Sequence, residues 1–291
     1  MAVAALLWGA TFVVLRDTLR DISPAGLVAV RFGLASAVWA LLLAARALAG
    51  GGPRSGVREA LIAGVVSGPL TAGGYLFQAI GLTTTSAGSS AFLTCTGTLA
   101  TAFFAWPLLR IRPGRALVAG IALAGVGSAL LGLHVDLRIG RGEAWTLLGA
   151  LVYALQIVAI ARWAPRGADP ALLTAVQSLV TFLVVAPFWR DPRADLAALG
   201  PRDGWRLGYL VLAGSVMAPL LQVRAQRALS PGRIGLLFAL EPVFALFFAL
   251  TLGDERFVLR WWVGAALILA AVIIAEWDAW PRPPRPRSAS G

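Results

Sequence analysis

One acidic side chain, Glu241, stands in the run LLFALEPVFALFFAL at 236–250, where every neighbour but Pro242 is apolar. A carboxylate at hydrocarbon depth costs roughly 2.5–3.5 kcal/mol on insertion scales, so it must face protein or a water-filled cavity. Pro242 follows directly and blocks the helical ladder, which is expected to leave the Phe238 carbonyl without its usual partner and to set a helix break beside the acid. Such a place can bind an amine or pass a proton. Arg31 lies in a second apolar run, seven residues in and roughly 10 Å deep at 1.5 Å per residue. It either bonds helix carbonyls and locks the bundle or holds an anionic group.

Other apolar runs carry uncharged groups that bind organic solutes: Trp8 and Thr11, Tyr75 and Gln78, Tyr153 and Gln156, and Gln222. Trp8 and Thr11, like Tyr153 and Gln156, are three residues apart, which puts both members on one helix face. An aromatic wall with a hydrogen-bonding group suits an amphipathic solute in a largely apolar cavity. The competing reading is interhelical packing, which membrane proteins also make with Gln and Tyr. Catalysis has little to work with. The chain has one Cys, Cys95, and one His, His134, with Asp136 beside it, so no metal cluster and no thiol or imidazole machinery is expected.

The elements that must position these residues are membrane helices. Hydrophobic residues make up 58% of the chain, charged ones 13%, and mean hydropathy is +0.79, which is far outside a soluble domain. The net charge of +11 comes from arginines lying mostly between apolar runs, so it speaks for orientation against a membrane and not for nucleic acid. Ten spans are predicted: 2–19, 24–48, 57–80, 86–109, 116–133, 144–162, 170–188, 206–228, 233–252 and 260–276. Trp106, Trp145, Trp163, Trp189, Trp205, Trp261, Trp262 and Trp277 fall near their ends, as interfacial anchors do. No basic region precedes the first run, so it reads as a retained span. With the N-terminus inside, 13 Arg are cytoplasmic and 10 external, which favours both termini in the cytoplasm, although the loop 190–206 runs against the bias.

The two halves match at an offset of roughly 145 residues, the kind of internal symmetry that transporter repeats leave. Trp8 faces Tyr153, Pro24 faces Pro170, Arg31 faces Gln177, AFL at 91–93 faces LLF at 236–238, and GIALA at 120–124 faces GAALI at 264–268. Five spans per half is odd, so the second copy must sit upside down. The expected fold is all-α and integral to the membrane, with ten transmembrane helices as two inverted-topology five-helix repeats over 1–140 and 141–276. Residues 277–291, rich in Pro and Arg, read as a disordered cytoplasmic tail. The small residues Gly56, Ala60, Gly64, Gly68 and Ala72 form a packing stripe.

Taken together, LLWGATFVVLRDTL at 6–19, SPAGLVAVRFGLA at 23–35, YLFQAIGLTTTSAGSSAFL at 75–93 and LLFALEPVFALFFALTLGDER at 236–256 resemble ten-span members of the drug/metabolite transporter superfamily, of the EamA type. The first half departs from the Glu-Pro and Gly-x-Glu pattern, with Thr96, Gly97 and LLRIRP at 108–113, which makes the halves chemically unequal. The resemblance implies a bacterial inner-membrane transporter that exports small metabolites, amino acids or drug-like compounds by alternating access. It implies no organic cofactor and a small-molecule solute; coupling does not transfer with the family, and protons enter as a candidate through Glu241 alone, while the lipid bilayer is the other expected partner and a monomer or homodimer the expected state. The alternatives are a lipid or lipid-carrier translocator and, further off, a membrane-embedded enzyme.

Overall fold

Ser or Asp followed by Pro opens four of the helices, because the side-chain oxygen can accept a free first-turn amide and proline presets the backbone at N1. In the computed structural model, which describes residues 1–51, 56–132, 140–164, 167–201, 203–252 and 259–277, these steps start α2 (Pro24–Leu48), α8 (Pro170–Val185), α9 (Pro192–Ala198) and α12 (Pro231–Leu237). The Ser23, Asp169 and Asp191 side chains accept from first-turn amides, whereas Ser230 makes no such bond. The remaining helices are α1 (Ala2–Thr18), α3 (Val57–Leu82), α4 (Ala87–Leu99), α5 (Thr101–Leu109), α6 (Arg115–Gly132), α7 (Arg141–Trp163), α10 (Asp203–Tyr209), α11 (Ala218–Gln226), α13 (Leu240–Leu252) and α14 (Leu259–Trp277). A π-helical segment, Leu210–Met217, joins α10 to α11. No strand occurs among the described residues.

Among the described residues, seven helical stretches are long and apolar enough to cross a membrane: Pro24–Leu48, Val57–Leu82, Ala87–Leu109, Arg141–Trp163, Pro170–Phe188, Asp203–Gln226 and Pro231–Phe248. Arg115–Leu131 and Leu259–Ala275 are shorter apolar helices, and α1 has 17 residues. Leu41, Leu48, Leu183 and Ile273 point outward and are well exposed, so the bundle wears the apolar coat of a multi-pass membrane protein. His134, Asp136, the Gly-x-Glu motif at 253–255 and the tail from 278 lie outside the described residues.

Close backbone approach holds the bundle together. A Cβ on Gly64 would meet Val176 at 2.7 Å and one on Gly68 would run into Val180, so the small-residue stripe of α3 receives the ridge of α8. At the crossing of α6 and α14, a Cβ on Gly127 would lie 2.6 Å from the Gly264 carbonyl, and one on Gly264 would lie 2.6 Å from that of Gly127.

Side-chain bonds then tie second helices to third helices across the halves. Arg31 Nε on α2 donates to Ser215 Oγ at 3.2 Å, and Gln177 Nε2 on α8 donates to Ser67 Oγ at 3.0 Å on α3. Each serine passes its own proton back along its helix, Ser67 to Ala63 O and Ser215 to Leu210 O, the latter one residue longer because the helix there is π. Both ends of α2 are tied, its N-terminus to α9 and its last turn to the N-cap of α8. Asp195 accepts from the Ser23 amide and hydroxyl and from Trp189 Nε1, while Asp169 accepts from Arg46 at 2.8 Å.

The Asp169 link generates a pH-dependent stability. Burial pushes its carboxyl up, but the Arg46 guanidinium and the Leu172 and Ala171 amides outweigh burial and hold it below the ordinary 3.8. A depressed carboxyl contributes stability that is present above the unfolded-state pKa and lost as pH falls through the folded one. Asp169→Asn keeps a capping oxygen and removes the charge, so it should cost about 1 kcal/mol at neutral pH, or about 2–4 °C in Tm. In thermal scans of purified protein the gap between wild type and variant should close below about pH 4. A gap of equal size at pH 3 and pH 7 would show that the ion pair contributes nothing.

Candidate functional site

Polar and aromatic side chains that the sequence scatters over five helices converge at the middle of the bundle. Trp8, Thr11, Tyr75, Gln78, Tyr153, Gln156, Gln222 and Glu241 all line one central cavity, between α1, α3, α7, α11 and the start of α13. The open space at its centre is about 40 Å³, room for two or three waters and too little for an organic solute. As it stands, the cavity holds water but has no room for an organic solute.

Rings form much of the wall. Trp8 stacks on Phe238 with centroids 5.2 Å apart, and Tyr75 meets Tyr153 edge to face at 5.3 Å. Trp8 Nε1 donates to Tyr75 Oη at 3.1 Å and to the Gly214 carbonyl at 3.0 Å, and Tyr75 Oη in turn donates to that carbonyl. The Gly214 carbonyl lies in the π segment, and the residue five positions on is Pro219, which has no N–H to bond it, so the carbonyl is left open to side-chain donors. Thr11 turns its hydroxyl back onto the Trp8 carbonyl.

Amides and hydroxyls bond one another across helices. Gln78 donates to Thr94 at 3.1 Å and accepts from Tyr153 Oη at 3.4 Å. Gln222 donates to Gln156 Oε1 at 3.0 Å and to Gln226 Oε1 at 3.2 Å. A solute must break such bonds or occupy the groups' remaining lone pairs and protons.

Glu241 is the exception. It is 2% exposed, lines the cavity, and its carboxylate makes no hydrogen bond or ion pair among the described residues. Its helix setting corrects the expectation drawn from Pro242. The Phe238 carbonyl does have a partner, the Glu241 amide at 2.9 Å, and the turn lies earlier, at Phe238 and Ala239 between α12 and α13. Because α13 begins at Leu240, Pro242 falls in a first turn, where a missing N–H breaks no ladder.

Arg31 is fully buried and does not line the cavity. Its guanidinium lies behind the Tyr75 ring, 4.9 Å from the centroid, and neither terminal nitrogen has a hydrogen-bond partner. It forms no ion pair with Glu241 among the described residues. Phe12, Thr71, Thr94, Thr98, Gln177, Pro219 and Phe238 also line the cavity, though sequence reading did not select them. Signals existed for three of these. Gln177 and Phe238 stand opposite Arg31 and Leu93 in the repeat, and Thr71 is one turn before Tyr75.

The profile of the EamA-like transporter family matches residues 1–133 and 140–277, so the chain carries two copies of the family's repeat. An uncharacterized transporter of Archaeoglobus fulgidus is 28% identical over 95% of this chain and 84% of its own length. The uncharacterized transporter YyaM of Bacillus subtilis is 26% identical over 92% and 89%. A WAT1-related chloroplastic protein of Arabidopsis thaliana is 28% identical over 69% of this chain and 51% of its own. A solved crystal structure shares the fold with a TM-score of 0.74 over 96% of both chains at 18% identity.

The indole, phenol and carbonyl cluster makes a prediction independent of any solute. Tyr75→Phe removes a hydroxyl that both accepts from Trp8 and donates to Gly214, and buried bonds of this kind in membrane proteins average about 0.6 kcal/mol. A double-mutant cycle with Trp8→Phe, read by thermal unfolding in detergent, should give a coupling of about 0.6–1 kcal/mol. Additive losses would mean that the two side chains do not bond.

Proposed function

The chain belongs to the EamA-like transporter family, and on that premise we propose that it exports small organic solutes across the bacterial inner membrane by alternating access. The observation that carries this reading is the central cavity, lined from both copies of the repeat by rings, amides and one unpaired acid. Trp8, Thr11, Tyr75, Gln78, Tyr153, Gln156, Gln222 and Glu241 bind the solute, which is an amphipathic metabolite, amino acid or drug-like compound.

In this reading ten helices cross the membrane, both termini are cytoplasmic, and 141–276 repeats 1–140 upside down. Three relations support the inversion. Gln78 and Gln222, 144 residues apart, line the cavity from the third span of each half. The bonds Arg31 to Ser215 and Gln177 to Ser67 run from second span to third span in opposite senses. The Gly127 to Gly264 approach has a counterpart in Gly120 against the Ala271 carbonyl, and adding 144 to 120 and 127 gives 264 and 271. Reporter fusions at Arg54 and Arg112 should read cytoplasmic and fusions near Arg138 and Asp195 external. An external signal at Arg54 would reverse the orientation.

Metabolites released by cells that overexpress the wild type, compared with cells carrying Glu241→Gln, identify solute and residue together. Trp8→Ala and Tyr153→Ala should each raise the KM of that solute several-fold without loss of folded protein, since an aromatic contact contributes about 1 kcal/mol beyond its area. If Glu241 carries the coupling proton, Glu241→Gln abolishes gradient-driven transport and spares exchange. If it holds an amine, the same change weakens cationic solutes and spares neutral ones. Wild-type transport by Glu241→Gln across the pH range would return the acid to a packing role.

A further inference from the structure

Two further cavities, of about 230 Å³ and about 600 Å³, lie at opposite ends of the bundle. Helix α6 reaches the smaller with Leu131 and the larger with Leu117, and α14 reaches them with Trp261 and Ala275. The repeat relates the two. Gly88 and Gly232, Leu131 and Ala275, and Leu117 and Trp261 stand 144 residues apart, Arg16 and Ala161 stand 145 apart, and in every pair one residue lines the smaller cavity and the other the larger. A solute path through an inverted repeat has two such mouths, one for each face of the membrane.

The mouths differ in how far they reach toward the centre. At the smaller one, three helices carry lining residues from the central cavity to the end cavity in the three- and four-residue steps that keep one helix face. These are Trp8, Phe12 and Arg16 on α1, Thr94, Ala91 and Gly88 on α4, and Glu241 and Ala245 on α13. Among the described residues only Phe12 belongs to both walls, and its side chain is buried. At the larger mouth the equivalent steps are filled. Ile157 stands between Tyr153 and Ala161, and Gly235 between Phe238 and Gly232; both are buried and neither lines a cavity described here. A Cβ on Gly235 would run into the Thr98 carbonyl. A packed helical turn thus separates the central cavity from the larger mouth, against one ring at the smaller.

We propose that Phe12 is the gate at the smaller mouth: its side chain closes the central cavity, and when the ring swings aside the solute passes between that cavity and the end that carries Arg16 and Gly88. Both of those residues are exposed, so the path beyond the ring leads out of the bundle. A change of rotamer moves a phenyl ring as a whole and leaves the helix backbone in place. The proposal rests on the transporter reading, and in the orientation given above it makes Phe12 the exit gate.

The test reads access to the cavity and needs no solute. Cys95→Ser removes the single cysteine and keeps a partner for Ser128, and Thr94→Cys then places a thiol on the central wall. The purified full chain in detergent is treated with a small charged methanethiosulfonate, and labelling is followed by mass spectrometry. Adding Phe12→Ala should raise the labelling rate at least about ten-fold, which corresponds to about 1.4 kcal/mol off the barrier to entry. Leu15→Ala truncates an equally buried side chain of α1 that lines neither cavity, and Ile157→Ala truncates the repeat equivalent of Phe12. Both should label near the parent rate. An unchanged rate with Phe12→Ala, or an equal gain in either comparison variant, would overturn the gate. If Phe12→Ala does not fold, Phe12→Leu, which removes the ring and keeps an apolar side chain, should still label faster than the parent, and a parent rate there would overturn the gate as well. Because transport is not measured, a chain that moves no organic solute would refute the transporter reading without touching the labelling result.

Discussion

In hydrocarbon no water bonds a polar group, so every amide, hydroxyl and charge on these helices must find its partner inside the bundle. That constraint gathers the Gln, Thr and Tyr side chains toward one axis. It also sets the pattern of cross-helix bonds: Gln78 to Thr94, Gln222 to Gln156, Gln177 to Ser67. The central cavity is where this inward-facing set is not fully closed. Glu241 marks that point, because its carboxylate has nothing to bond but the cavity.

The same constraint explains why α2 and α8 form the anchored part of the bundle. Each sends a long polar side chain to a serine of another helical stretch, Arg31 to Ser215 and Gln177 to Ser67, and α2 is fastened at its ends to Asp195 of α9 and to Asp169, the N-cap of α8. Arg31 belongs to the fastening: its Nε bond, the Tyr75 ring and burial hold it in place behind the wall. Its two unbonded nitrogens make that place an expensive one for a cation.

Sequence alone determined the class, the presence of two copies of a repeat and the small-residue stripe of α3, because each is a local or periodic property. It also determined the cavity residues, since a polar or aromatic group within an apolar run has few places to go but inward; all eight selected this way line one cavity. Tertiary structure decided what depends on distant partners. Whether Arg31 faces the cavity turned on where Tyr75 and Ser215 lie, 44 and 184 residues along the chain. The helix break near Glu241 moved to Phe238 and Ala239 because packing starts α13 at Leu240, which turns Pro242 from an interruption into a first-turn residue. The open Gly214 carbonyl is legible in Pro219, which removes its backbone donor, but that Trp8 and Tyr75 take its place depends on helices 206 and 139 residues away in the chain.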